Sequence, residues 1–196
     1  MIPLVRHYSG KFILVGGTAI ALQIGHRKSI DFDLFTNGRL NIPQIKSYLY
    51  SRNFKSLKLL FQDTDQLHFL INSVKFTFLS FPYHIKQSAL FDKKIPVPSL
   101  LTLAAMKAYA IGNHMNWKDY LDLYYIIRDY HSLSEIIKEA GLIFNGSFNA
   151  KLFLEQLTWF NDLSKTEKID FITEPVGEEE LKSFLTRQAA KQLSDL

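Results

Sequence analysis

The amino-acid sequence predicts an α+β protein, with strands and short helices interleaved up to about residue 95 and helices alone beyond. Three observations lead there. Between residues 12 and 81, apolar runs of strand length alternate with two helix-like segments, separated by Gly-Gly, Thr-Asn-Gly and Asn-Ser punctuation. After Pro96 and Pro98, apolar residues recur at helical spacing. The 196 residues are 47% hydrophobic and 14% aromatic, enough to bury the core of one domain, or of one domain with a helical extension. The expected division is an α/β core over 1–95 and a helical region over 96–196 packed on it.

Each element has its own local reason. Residues 12–15 (FILV) read as a buried strand that Gly16-Gly17 breaks. Residues 18–25 (TAIALQIG) have the Ala and Leu spacing of a short helix, with Thr18 as its N-cap. Residues 30–35 (IDFDLF) alternate as a strand does, and Thr36-Asn37-Gly38 is a turn signal. A helix over 42–53 starts near Pro43 with Ile45, Leu49 and Phe54 on one face. Three strand-like runs follow at 57–61, 66–72 and 74–81, with Asn72-Ser73 as a hairpin turn between the last two. Helices are expected over 99–111, capped by Ser99, and over 116–130, 133–140 and 149–160. The polar, acidic stretch 164–180, with Pro175 and Gly177, reads as a linker before a terminal helix over 178–192.

Composition excludes several classes of function. Without cysteine there is no disulfide, thiolate nucleophile or Cys-based zinc site, and His7, His68, His84, His114 and His131 lack zinc-like spacing. The N-terminus MIPLVRHYSG lacks the long apolar core of a signal peptide, and no run of 18 uninterrupted apolar residues appears, so a cytoplasmic protein with no membrane span is expected. Charge is unevenly distributed. Residues 1–60 hold nine Lys/Arg against two acidic residues (+7) and the remainder 14 against 17 (−3), which together give the net +4. A basic surface around a small acidic site suits a polyanionic substrate plus a metal; a solvated basic face is the alternative.

The stretch VGGTAIALQIGHRKSIDFDLF (residues 15–35) carries the chemistry. A strand, a glycine turn at Gly16 and Gly17 and a helix N-terminus form a cradle in which the backbone can approach a phosphate, and Thr18 adds a hydroxyl donor. Asp31 and Asp33 lie at i and i+2 and project from one face of their strand, while Phe32 and Leu34 anchor the other. Two carboxylates side by side repel unless a cation sits between them. Mg²⁺ or Mn²⁺ takes such oxygen ligands while also binding substrate phosphates.

That order of parts resembles the minimal nucleotidyltransferase fold of the polymerase-beta-like superfamily, whose signature is a Gly-Gly or Gly-Ser turn followed by Asp-x-Asp or Asp-x-Glu. More narrowly, GGTAIALQIGHRKSIDFDLF resembles the AbiEii/AbiGii toxin family of nucleotidyltransferases. The resemblance covers about residues 10–130. It implies a mixed β-sheet with strands 12–15, 30–35 and 74–80 side by side, flanked by helices. A second signature, a Lys on one helix and Lys-Asp-x-x-Asp on the next, matches Lys107 and Lys118-Asp119-Tyr120-Leu121-Asp122. Asp119 and Asp122, at i and i+3, share a helix face. Lys107, inside an apolar helix, either snorkels to solvent or reaches the triphosphate or Asp119. His26-Arg27-Lys28-Ser29 resembles the family's Gly-His-Arg-x-Ser stretch; Arg27 either binds phosphate, pairs with a site acid or belongs to a basic loop.

The resemblance thus implies Asp31, Asp33, Lys107 and Asp119 as catalytic residues, with Asp31 and Asp33 on the metal, and Gly16, Gly17, Thr18, Arg27, Ser29, Lys118 and Asp122 around the nucleotide. It implies transfer of a nucleotidyl group from a nucleoside triphosphate to an acceptor hydroxyl, with RNA, tRNA in particular, as acceptor and a separate antitoxin as partner. One departure stands out. The superfamily takes a third carboxylate from a later strand, and in VKFTFL (74–79) that place holds Thr77, which cannot act as a carboxylate base. Asp119, or Asp63 or Asp65 if the strand is placed otherwise, would then substitute. The alternative is a catalytically impaired module that binds nucleotide, RNA or a protein partner.

Overall fold

The computed structural model describes residues 1–111, 116–161 and 168–194. The chain divides into two compact units, one made of Met1–Ala19 and Ser29–Pro98, the other of Ile20–Lys28 and Ser99–Leu196. Thus the short segment Ile20–Lys28 groups with the helices that follow residue 98.

The first unit is built on a five-stranded mixed sheet, ordered β1-β2-β5-β4-β3. Its strands are β1 (Ile13–Val15), β2 (Phe32–Thr36), β3 (Leu57–Gln62), β4 (Gln66–Ile71) and β5 (Val74–Ser80). β1 and β2 are antiparallel, β2 and β5 parallel, and the β3, β4 and β5 ladder antiparallel. The three strands singled out in the sequence are therefore neighbours. Pleating sorts the side chains. Phe32 faces Phe76 across the parallel pair, Leu34 faces Phe78, and Phe69 and Leu67 continue the row in β4; all are buried. Helices α1 (Ile2–Tyr8) and α3 (Ile42–Tyr50) cover this face: the Tyr8 ring packs edge-on against Phe78 and Tyr50 against Phe69. The opposite face carries the row Asp33, Thr77 and His68.

Several boundaries differ from the sequence reading. Helix α2 (Gly16–Ile24) begins directly at the glycines, so Thr18 lies within its first turn and is not the N-cap. Gly16 makes this possible: its φ of +71° turns the chain straight out of β1, a conformation open to glycine at little cost. Asp31 precedes β2 by one residue, and α3 stops at Tyr50, short of Phe54. Helix α1 is an addition; its seven residues are too few to stand alone and depend on packing of Leu4, Val5 and Tyr8. A second addition is the hairpin of β6 (Ala89–Phe91) and β7 (Ile95–Val97), in which Pro96 sits opposite Leu90. The Asn72-Ser73 turn closes β4 onto β5 with both residues at positive φ (49° and 66°), the backbone of a two-residue hairpin.

In the second unit α4 (Leu100–Ile111) starts where Ser99 Oγ accepts the Thr102 N–H, and α5 (Trp117–Asp129) where the Asn116 side chain accepts the Lys118 N–H. α6 (Leu133–Phe144) opens with a Ser132–Glu135 capping box and runs longer than predicted, while α7 (Ala150–Gln156) is shorter. α8 (Glu178–Leu193) closes the chain. Tyr120, Tyr124 and Tyr125 of α5 are all buried, and their hydroxyls donate to Gln156 O, Glu180 Oε1 and Glu174 O. These tyrosines belong to the core of the second unit. The first part of the expected linker, 164–167, and His114 lie outside the described residues. Further on, residues 170–172 pair with His26–Lys28: Lys28 N–H donates to Asp170 O (2.7 Å) and Ile172 N–H to His26 O (3.0 Å). Among the described residues no helix is long and apolar enough to cross a membrane.

Candidate active site

Two clusters gather the residues the sequence singles out, one in each unit. In the first, Gly16 follows β1, whose Val15 is the register partner of Asp33. A β-carbon on residue 16 would overlap the Asp33 carboxylate and stand 3.1 Å from its Cγ. Glycine is therefore needed here twice, for its positive φ and to leave room for the acid. Thr18 Oγ1 donates to the carbonyl of Asp31 and lies 2.8 Å from Ser29 Oγ. Asp31 in turn accepts the Lys75 N–H through Oδ1 (2.9 Å), which extends the β2–β5 pairing by one residue. The start of β2 is thus tied to α2 on one side and to β5 on the other. Gly16, Thr18, Ser29, Asp31 and Asp33 come together as a consequence.

Thr77 is the direct register partner of Asp33 on the parallel neighbour strand, with its side chain on the same face. The placement of residues 74–79 in a strand beside Asp33 therefore holds. Asp63 and Asp65 do not occupy that place. They sit in the β3–β4 turn, where Asp63 Oδ1 accepts the N–H groups of Asp65 (2.8 Å) and Gln66 (2.7 Å). His68 follows Thr77 in the same row, on β4, with its Nε2 buried and without a hydrogen-bond partner among the described residues. Sequence reasoning passed over it, because only the register of a non-local ladder brings it there.

In the second unit, Asp122 is fully buried at the centre of a charge cluster. Arg27 grips it bidentately, Nε to Oδ1 at 2.7 Å and NH2 to Oδ2 at 2.9 Å. His26 Nε2 donates to Oδ1 at 2.8 Å, and Lys107 Nζ stands 3.2 Å from Oδ2 while also pairing with Asp119. Burial pushes the Asp122 carboxyl up, but Lys107, the His26 hydrogen bond and Arg27 outweigh it and hold it well below the usual carboxylate range. Burial likewise works to lower the Lys107 ammonium, and Asp119 and Asp122 outweigh it, leaving its pKa raised. Of the alternatives open from sequence, Lys107 pairs with acids rather than snorkelling, and Arg27 binds a carboxylate rather than lying in a basic loop. His26 is the residue sequence reading missed here; its place beside Arg27 in the Gly-His-Arg-x-Ser stretch was the available signal. Lys118 lies in the first turn of α5 next to Asp119.

A mixed sheet with a glycine turn facing an Asp-x-Asp strand is the architecture of a nucleotidyltransferase fold, and solved structures agree. The chain aligns over its full length with 82% of MenT4, a nucleotidyltransferase toxin of Mycobacterium tuberculosis, at a TM-score of 0.63 and 13% identity. It aligns in the same way with 90% of the Helicobacter pylori protein JHP933 at a TM-score of 0.58 and 14% identity. At such identities the likeness is one of fold. The family follows from sequence: the model of the nucleotidyl transferase AbiEii toxin family, type IV toxin–antitoxin system, matches residues 4–195, and the chain belongs to that family. An uncharacterized protein of Aquifex aeolicus (strain VF5) is 29% identical over 195 residues, spanning 94% of this chain and 89% of the relative.

Proposed function

We propose that this member of a nucleotidyltransferase toxin family transfers a nucleotidyl group from a nucleoside triphosphate to a hydroxyl of RNA, tRNA in particular, in the cytoplasm, and that a cognate antitoxin counteracts it. The observation that carries the reading is the fit of Gly16 against Asp33, which leaves the acid beside a glycine turn that can admit a phosphate. Asp31 and Asp33 would hold Mg²⁺ or Mn²⁺. Among the described residues no cluster of three or more His, Asp and Glu side chains could hold a metal, and the proposed site rests on these two acids. That suits Mg²⁺, which binds through one or two carboxylates and completes its shell with water and substrate phosphates. When bound, the ion supplies positive charge to the triphosphate. The chain's own part is positioning. Gly16 and Gly17 admit the phosphates, Thr18 and Ser29 hold the start of β2, and Asp31 is oriented by the Lys75 N–H. The family resemblance implies Lys107 and Asp119 as catalytic residues; Asp119 and Asp122 outweigh burial and hold the Lys107 pKa above its usual value.

Thr77 beside Asp33 favours a second reading, a module that binds nucleotide without turning it over. One experiment separates the two. The full chain is incubated with each α-labelled nucleoside triphosphate, Mg²⁺ or Mn²⁺, and total RNA. The transferase reading expects label on RNA with wild type and none with Asp33→Asn. Retention of metal-dependent nucleotide binding with no label on RNA selects the module. Equal metal and nucleotide binding by wild type, Asp31→Asn and Asp33→Asn would remove the proposed site altogether.

A further inference from the structure

A cavity of the first unit, about 820 Å³, lies away from the carboxylates. It opens between α1, α3 and the ends of β1 and β2. Its wall includes Thr36, which shares a strand face with Phe32 and Leu34, and Phe12, whose ring packs on Phe78. Asp33 and Thr77 point from the other face of the sheet. The cavity is thus on the opposite layer from the proposed nucleotidyl-transfer site.

Its chemistry is one-sided. Lys11 and Arg39 line it, together with the amides Asn41 and Gln44, and among the described residues no Asp or Glu does. Arg39 is exposed and makes no ion pair or side-chain hydrogen bond among the described residues. Among the described residues the only hydrogen bond of the Lys11 amine is a long one to Gln44 Oε1, at 3.4 Å. Two cations without a counter-charge at the mouth of a cavity attract an anion. The inner wall is aromatic and apolar. His7 and Tyr48 stack face to face at 3.6 Å, and Tyr8 is buried with its hydroxyl lacking a hydrogen-bond partner among the described residues. A buried hydroxyl without a partner is unfavourable, and a polar ligand atom reaching it would offset that. The volume falls within the range of small-ligand sites and exceeds what a bare phosphate needs.

We propose that this cavity is a second ligand site, which takes the phosphomonoester of a nucleotide with the phosphate at Lys11 and Arg39 and the organic part against the aromatic wall. The phosphomonoester can belong to a free nucleotide or to the 5′ end of an RNA. The inference does not rest on the transfer reaction, since its residues and layer are separate from Asp31 and Asp33.

The test is an NMR titration of the full chain in EDTA, without divalent metal. The probes are AMP, a 5′-phosphorylated RNA trinucleotide and the same trinucleotide with a 5′-hydroxyl. The amides of Gly10 and Gly38, both in the cavity wall, serve as reporters. A phosphorylated probe should shift both, and the exposed pair of changes Lys11→Gln and Arg39→Gln should weaken binding at least tenfold while the melting temperature stays put. Asp33→Asn should leave this binding intact. Binding of AMP alone marks a free nucleotide as the source; binding of the phosphorylated trinucleotide marks an RNA end. Equal binding of the 5′-hydroxyl trinucleotide, no shift at Gly10 and Gly38, or loss of binding in Asp33→Asn would overturn the proposal. None of these outcomes bears on label transfer to RNA, which tests the reaction separately.

Discussion

Replacing Asp122 with Asn removes the charge on which Arg27, Lys107 and His26 converge. The side chain is fully buried, and its shape is kept. Arg27, 3% exposed, and Lys107, 12% exposed, would then share a low-dielectric interior with Asp119 as the remaining acid close to Lys107. Breaking a buried ion pair by removing one partner typically costs about 3–5 kcal/mol, because the other charge stays desolvated. For a chain of this length, at ~2–4 °C per kcal/mol, the melting temperature should fall by roughly 6–20 °C. Both tryptophans, Trp117 and Trp159, lie in the second unit, so their fluorescence reports on the unit that contains the cluster. The pH dependence has a definite sign. The folded-state pKa of Asp122 is depressed below its ordinary value of 3.8, so its contribution is complete above pH 3.8 and disappears as pH falls through the folded value. The folded-state pKa of Lys107 is raised above 10.5, so its contribution is complete below pH 10.5 and disappears as pH rises through the folded value. The Asn variant should therefore lose the Asp122 part of the acid limb, and stability between these limits should drop. A loss below about 1 kcal/mol, the scale of an exposed pair, with an unchanged acid limb, would refute the account of the cluster.

Two further outcomes test the first unit. Gly16→Ala places a β-carbon against the Asp33 carboxylate at a φ of +71°; calorimetry should show a loss of roughly 1–3 kcal/mol from the strained backbone and displaced acid, with metal-dependent nucleotide affinity falling as well, whereas Gly10→Ala, with nothing within 4 Å, should be nearly neutral. Ser73→Gly relieves a positive φ at the second position of the hairpin and should raise stability in urea by about 0.5–1 kcal/mol; no gain would count against the two-residue turn.

The sequence by itself determined the elements whose cause is local. Alternation along IDFDLF and VKFTFL announces β2 and β5, Asn72-Ser73 the turn between β4 and β5, and Ser99 and Asn116 the starts of α4 and α5. The order of strand, glycine turn, helix and Asp-x-Asp strand was legible for the same reason, since phosphate access and paired acids are properties of spacing along one short stretch. Helix α1 escaped because seven residues carry too little periodicity, and the β6–β7 hairpin because Pro96 argues against a strand until its position opposite Leu90 is known. What the tertiary structure decided is which distant residues meet. Arg27 and His26 find Asp122 across 95 and 96 positions, Thr77 stands beside Asp33 through a parallel pairing, and Ile20–Lys28 joins the helical unit. No periodicity encodes such contacts, because register and burial are settled by the packing of whole elements. The same packing, by removing Asp122 from water, turns an ordinary i, i+3 acid into the anchor of two buried cations.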